Sequence, residues 1–174
     1  MTDDRLAYEQ VMEDLRQRLG ASRTTLRFDR PEANYPVAAE SCAPGVPSIR
    51  HDNSIDQRNA ASARWILKEG RVLVVDDALT ADPAPPTAIV NVYGLRAFML
   101  APLARKDARS LIGWISVHEN SGRRRWTEAE VSEVQVAVER VHAIYFARYH
   151  PAPEESHVRS PRRSCPRRAE RSGR

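Results

Sequence analysis

The side chains best placed to do chemistry lie in the apolar stretch LIGWISVH, residues 111–118, where Trp114, Ser116 and His118 alternate with Ile115 and Val117. In a strand, alternate residues share a face, so these three would stand side by side. A hydroxyl and an imidazole are costly to bury without partners, which makes that face a candidate binding surface. His118 also fits a plainer role as an exposed or internally satisfied histidine, and Trp114 and Trp65 fit a core as well as a stacking platform. Tyr93 could aim its hydroxyl into a cleft or cap the core. Asp76 and Asp77 could hold an amine or a metal, yet turn initiation is their ordinary use, and VVDD offers too few oxygen donors for an ion. Cys42 and Cys165 are the only cysteines, with no spacing that suggests a metal site or a disulfide framework. A redox enzyme or sensor built on Cys42 would lack a resolving thiol. With no G-x-S-x-G and no HExxH present, no catalytic residue and no metal site is assigned, and any cofactor is unknown.

These residues need elements to position them. LRAFMLAPL and SLIGWISVH read as a strand pair joined by the polar hairpin ARKDAR, apolar on both faces and therefore central in a sheet. For a hairpin loop with an even number of residues, paired positions have opposite parity. Ala97, Met99 and Ala101 then share a face with Ile112, Trp114, Ser116 and His118, while Phe98, Leu100, Leu111, Ile115 and Val117 form the other. The second face suits a covering of helices. The first, with its polar groups, is the expected pocket wall, and its candidate ligand contacts are Met99, Trp114, Ser116 and His118, joined by Trp65 and Tyr93.

Around this pair, residues 4–19 place Tyr8, Met12, Leu15 and Leu19 on one helical face, with Gly20 as the stop. SRTTLRF alternates, so Arg23, Thr25 and Arg27 are expected on a wetted face of a strand, and YPVAAES is a second strand. An irregular Pro/Gly loop follows Cys42. Ser54 and Gln57 suggest a capping box opening a helix that runs through Trp65 to Gly70. RVLVVDD reads as a short strand covered on both faces, and Pro86 as the first turn of a short helix ending near Tyr93. Thr127 and Glu130 form a capping box for a long last helix, with Trp126 as a staple on Val131 and a core stripe through Val134, Val138, Val141 and Tyr145.

Apolar residues at 41% and charged residues at 29% fit one soluble domain, residues 1–149. No run is long and apolar enough for a membrane span and no leader opens the chain, so a cytoplasmic location is expected. The formal charge of +4 resides entirely in residues 150–174, with seven Arg against three Glu. That Arg/Pro/Ser-rich tail is expected to be disordered, either a solvated extension or a weak contact for nucleic-acid phosphates.

Several of these residues carry a family pattern. Gly94 leads a strand ending in Pro102-Leu103, which pairs with a strand beginning Ile112-Gly113. Trp126, Thr127 and Glu130 open the last helix, and VVDDALTADP, residues 74–83, precedes the short one. Over roughly residues 4–148 this resembles the GAF domain family. The resemblance implies an α/β fold of the α+β type: a six-stranded antiparallel sheet, terminal helices on one face, and a pocket with short helices on the other. It further implies a non-catalytic module that senses an unidentified small molecule or binds a partner. Its signal would pass through the terminal helices, as a homodimer, to an output protein on another chain. Ala129, Val136 and Ala143, seven residues apart, could seat a partner helix. A docking or dimerisation module with no ligand is the alternative. A covalently held tetrapyrrole would have Cys42 as its sole candidate thiol in the body.

Overall fold

The computed structural model describes residues 2–30, 32–52, 54–105 and 111–149. Expectations for the tail, residues 150–174, lie outside the described residues. The amphipathic stretch at the amino terminus forms α1 (Thr2–Leu19), with Tyr8, Met12, Leu15 and Leu19 buried. Gly20, at φ 57°, stops it, and the N–H of Ala21 closes back on the Arg16 carbonyl at 3.1 Å. β1 (Arg23–Phe28) and β2 (Val37–Cys42) follow, then α2 (Ala61–Glu69), β3 (Leu73–Val75), α3 (Thr87–Asn91), β4 (Ala97–Ala104), β5 (Leu111–Glu119) and α4 (Glu128–Tyr149). The strands lie in the order β2-β1-β5-β4-β3, every neighbour antiparallel. Five strands, not six, are present among the described residues.

Two cores divide the molecule. α1 and α4 cover one face, packing Met12, Leu15, Val134 and Val141 on Leu26, Met99, Ile115 and Val117. α2, α3 and the segments around them cover the other, packing Ile49, Ile66 and Ile89 on Phe98, Leu100 and Trp114. The start of α4 is pinned by a closed capping box: Glu130 N–H donates to Thr127 Oγ1 at 3.2 Å, and Thr127 N–H donates to a Glu130 carboxylate oxygen at 2.7 Å. Trp126 anchors the same corner by donating from Nε1 to the Val75 carbonyl at 3.1 Å.

Several local expectations are corrected. β3 is an edge strand, and Val74 is 40% exposed, so only one of its faces is covered. The helix expected from Ser54 begins instead at Ala61. Ser54 turns back onto Asp52, its N–H and hydroxyl at 2.8 and 2.6 Å from one carboxylate oxygen, and Asn59 turns back onto Asp56, its N–H donating to one carboxylate oxygen at 3.1 Å and its side-chain amide to the other at 2.7 Å. Such side-chain turns compete with the first helical turn. The register of the β4–β5 hairpin also differs. Ala104 faces Leu111, as an even loop requires, but Leu103 faces Gly113, so Ile112 is an extra residue and parity inverts beyond it. Phe98 and Leu100 therefore stand beside His118 and Ser116, and Met99 stands opposite Val117 on the helix-covered face.

Candidate functional site

Pairing across the sheet sets Arg23 beside His118, Thr25 beside Ser116 and Arg27 beside Trp114, with Cys42 and Glu40 next to Arg23 and Thr25 on β2. This is the face beneath α2 and α3. The arginines expected to be wetted are 0% and 3% exposed, because Tyr35 and the loop after β2 roof them. Arg23 donates from Nη1 to His118 Nδ1 at 3.1 Å and from Nη2 to the Pro47 carbonyl at 2.6 Å. Its Nε is 3.6 Å from Glu40, an ion-pair distance too long for a hydrogen bond. Arg27 donates from Nη1 to the Tyr35 carbonyl at 2.6 Å, and its Nη2 is buried without a partner. Tyr35, at φ 49°, lays its ring 4.3 Å from that of Trp114, and the Arg58 guanidinium caps it from outside at 4.7 Å.

Charge governs protonation here. A guanidinium can only donate, so His118 Nδ1 must accept and the ring is neutral, with its proton on Nε2. Burial, reinforced by Arg23 and Arg27, holds the His118 pKa well below the ordinary imidazole value. Burial also pulls Arg27 down to about 10, Glu40 and Asp52 opposing the shift and Arg23 adding to it. At the rim, Tyr93 donates its hydroxyl to Asp52 at 2.6 Å, and that bond is the main reason its pKa is raised. The Cys42 thiol is pushed up by burial and by Glu40, which keeps it from being a ready nucleophile.

The space left is small. A cavity of about 10 Å³, room for a single water, is lined by Arg27, Gln57, Ser62, Phe98, Ser116 and His118. Arg27 also forms part of the wall of an open groove of about 320 Å³ shared with Asn34, Pro36, Val37, Arg50 and Asp52.

Of the residues expected at the site, Ser116 and His118 line the cavity and Trp114 is buried beside it under Tyr35. Trp65 packs from α2 against the edge of this core, with Arg71 over its ring at 4.7 Å, and Tyr93 stands at the rim; neither lines the cavity. Met99 is on the wrong face, displaced by the bulge at Ile112. Asp77 accepts from Leu79 N–H at 3.0 Å and pairs with Arg123, the turn role expected of it. Sequence reasoning missed Arg23, Arg27, Glu40 and Gln57. The one available signal was two arginines four residues apart, and so on one face, in a strand that also carries Leu26 and Phe28.

The GAF domain model matches residues 5–143. The chain belongs to the GAF domain family. Among curated proteins none matches it significantly. Solved GAF domains share its fold at low identity. The blue-light absorbing form of the PixJ GAF domain from Thermosynechococcus elongatus is 21% identical, covering 84% of this chain and 89% of that one with a TM-score of 0.62. GAF3 of Slr1393 from Synechocystis sp. is 18% identical, covering 82% and 96%, with a TM-score of 0.61. The far-red absorbing dark state of JSC1_58120g3, solved with bound biliverdin IXa, is 18% identical over 79% and 86%, with a TM-score of 0.60.

Proposed function

We propose that this GAF domain is a non-catalytic sensory module whose guest binds between the sheet and the α2/α3 cover. The observation that carries this reading is the asymmetry of the two faces. The α1/α4 side meets the sheet with an apolar core, whereas the α2/α3 side buries Arg23, Arg27, Ser116 and His118 against it. Charged groups placed under a roof cost folding free energy, and a receptor role gives that cost a use. The cavity as built has room for no more than one water, so the guest is received by an opened form. A molecule the size of the biliverdin in the far-red relative does not fit the closed form. Cys42, on the outer strand with a raised pKa, is a poor thiol for covalent attachment or for redox sensing.

Output passes through α1 and α4. Ala129, Val136 and Ala143 are exposed along α4, and Val136 lines a shallow groove between α1 and α4, which supports pairing of two copies there. A second reading, docking without a ligand, is favoured by the near-solid packing of the α2/α3 side. Native mass spectrometry of the freshly purified chain, with its absorbance spectrum, separates the two. The sensor reading expects a noncovalent guest mass on the chain, lost on mild activation. The docking reading expects bare chain with no absorbance beyond that of its aromatic residues.

A further inference from the structure

The unpaired groups on this face have one chemical character. Arg23 Nε, Thr25 Oγ1 and Arg27 Nη2 are buried without hydrogen-bond partners. They occupy alternate positions of β1 and thus one side of the sheet, and each can donate. The other two such atoms among the described residues, on Asn120 and His142, belong to a strand end and to α4.

The charges on the face point the same way. Two guanidiniums are buried there, and the buried carboxylate beside them is Glu40, already accepting from Ile49 N–H at 2.9 Å and from Ser48. His118 is neutral by the tautomer argument and contributes no compensation. Asp52 stands at the rim, engaged by Tyr93 and Ser54. What the interior lacks is a single negative charge with more than one acceptor oxygen.

We propose that the guest carries a carboxylate, held by Arg27 together with Thr25; Arg23 already has Glu40 as its counter-charge. This assignment rests on the sensory reading above and specifies its ligand. A carboxylate is planar, carries one charge and presents two oxygens that match a guanidinium edge. A cation would meet two like charges, and a neutral guest would leave the Arg27 guanidinium uncompensated. Access is from the open groove, where Arg27 is the wall shared with the inner cavity. Arg27 is thus common to both spaces, with its Nη1 on the Tyr35 carbonyl and its Nη2 free.

The test uses acetate as the smallest carboxylate, acetamide as its neutral isostere, and sodium chloride to match ionic strength. Thermal unfolding of the full chain should show a saturable rise in midpoint with acetate, of roughly 3 to 6 °C at ten times the half-saturating concentration. Acetamide and chloride should give none. The rise should vanish in Arg27→Met, and Thr25→Val, which keeps both charges, should shift half-saturation several-fold higher. Should Arg27→Met not fold, Thr25→Val and acetate titration calorimetry on the unaltered chain decide the matter. An acetate effect equal to that of acetamide or chloride, or undiminished in the variants, overturns the assignment. A guest seen by native mass spectrometry that acetate does not displace also overturns it, while leaving the sensory reading in place.

Discussion

His118 is a residue whose acid–base chemistry folding changes strongly. It is buried, it accepts from Arg23, and Arg27 stands on the same face, so its folded pKa lies well below the ordinary imidazole value. A depressed pKa leaves stability complete above the unfolded value, near pH 6.5, and removes it as pH falls below, because the unfolded chain takes up a proton that the folded one refuses. His142, lowered chiefly by burial, adds to the same slope, whereas the depressed carboxylates Glu13, Glu119 and Glu130 act only in more acidic solution. Urea unfolding between pH 7 and 5 should therefore show stability falling by up to about 1.4 kcal/mol per pH unit per proton. His118→Gln, which keeps a neutral acceptor for Arg23, should reduce the slope to the part due to His142. An unchanged slope would show that His118 titrates as an ordinary histidine. Ser116 and His118 were legible because polar groups interrupt an apolar strand. Arg23 and Arg27 were not, because their alternation with Thr24, Leu26 and Phe28 looks the same whether the polar side meets water or a roof.

Among the elements, β5 decides the architecture. It is the central strand, and Gly113 sits where a side chain has no room: a Cβ there would lie 1.9 Å from the Arg27 carbonyl oxygen. The Ile-Gly that opens this strand, part of the family pattern, thus has a steric reason, the close approach of β1 beside the bulge. Gly113→Ala should cost roughly 2–4 kcal/mol in chemical denaturation, by forcing β1 and β5 apart at Arg27. A loss under 0.5 kcal/mol would mean the strands adjust freely. Helices with strong local signals, α1 with its Gly20 stop and α4 with its capping box, were readable from sequence. The bulge was not, since an extra residue in a strand leaves no mark in an apolar run. That single residue moved Met99 to the far side and brought Phe98 and Leu100 to the site. The start of α2 was misplaced for a different reason: Ser54 and Asn59 satisfy nearby carboxylates, and that local bonding displaces the cap.

At the scale of the molecule, one sheet separates a core fixed by two long helices from a cover of two short ones and irregular segments. The order of helices and strands was legible in the sequence, as were the two sides. How tightly the second side closes was not, because much of the cover, including Ile49, Ile55, Ala78 and Leu95, comes from segments where no periodic pattern indicates what they pack against. For a guest to bind, this cover must open while the sheet stays intact, since a guest cannot occupy space for one water. Amide hydrogen exchange at neutral pH, resolved by peptide, measures that directly. Amides of α2 should exchange through local opening on the order of 100-fold faster than those of β4 and β5. Protection of α2 equal to that of β4 and β5 would show that the cover opens only when the whole domain unfolds, and would contradict the sensory reading.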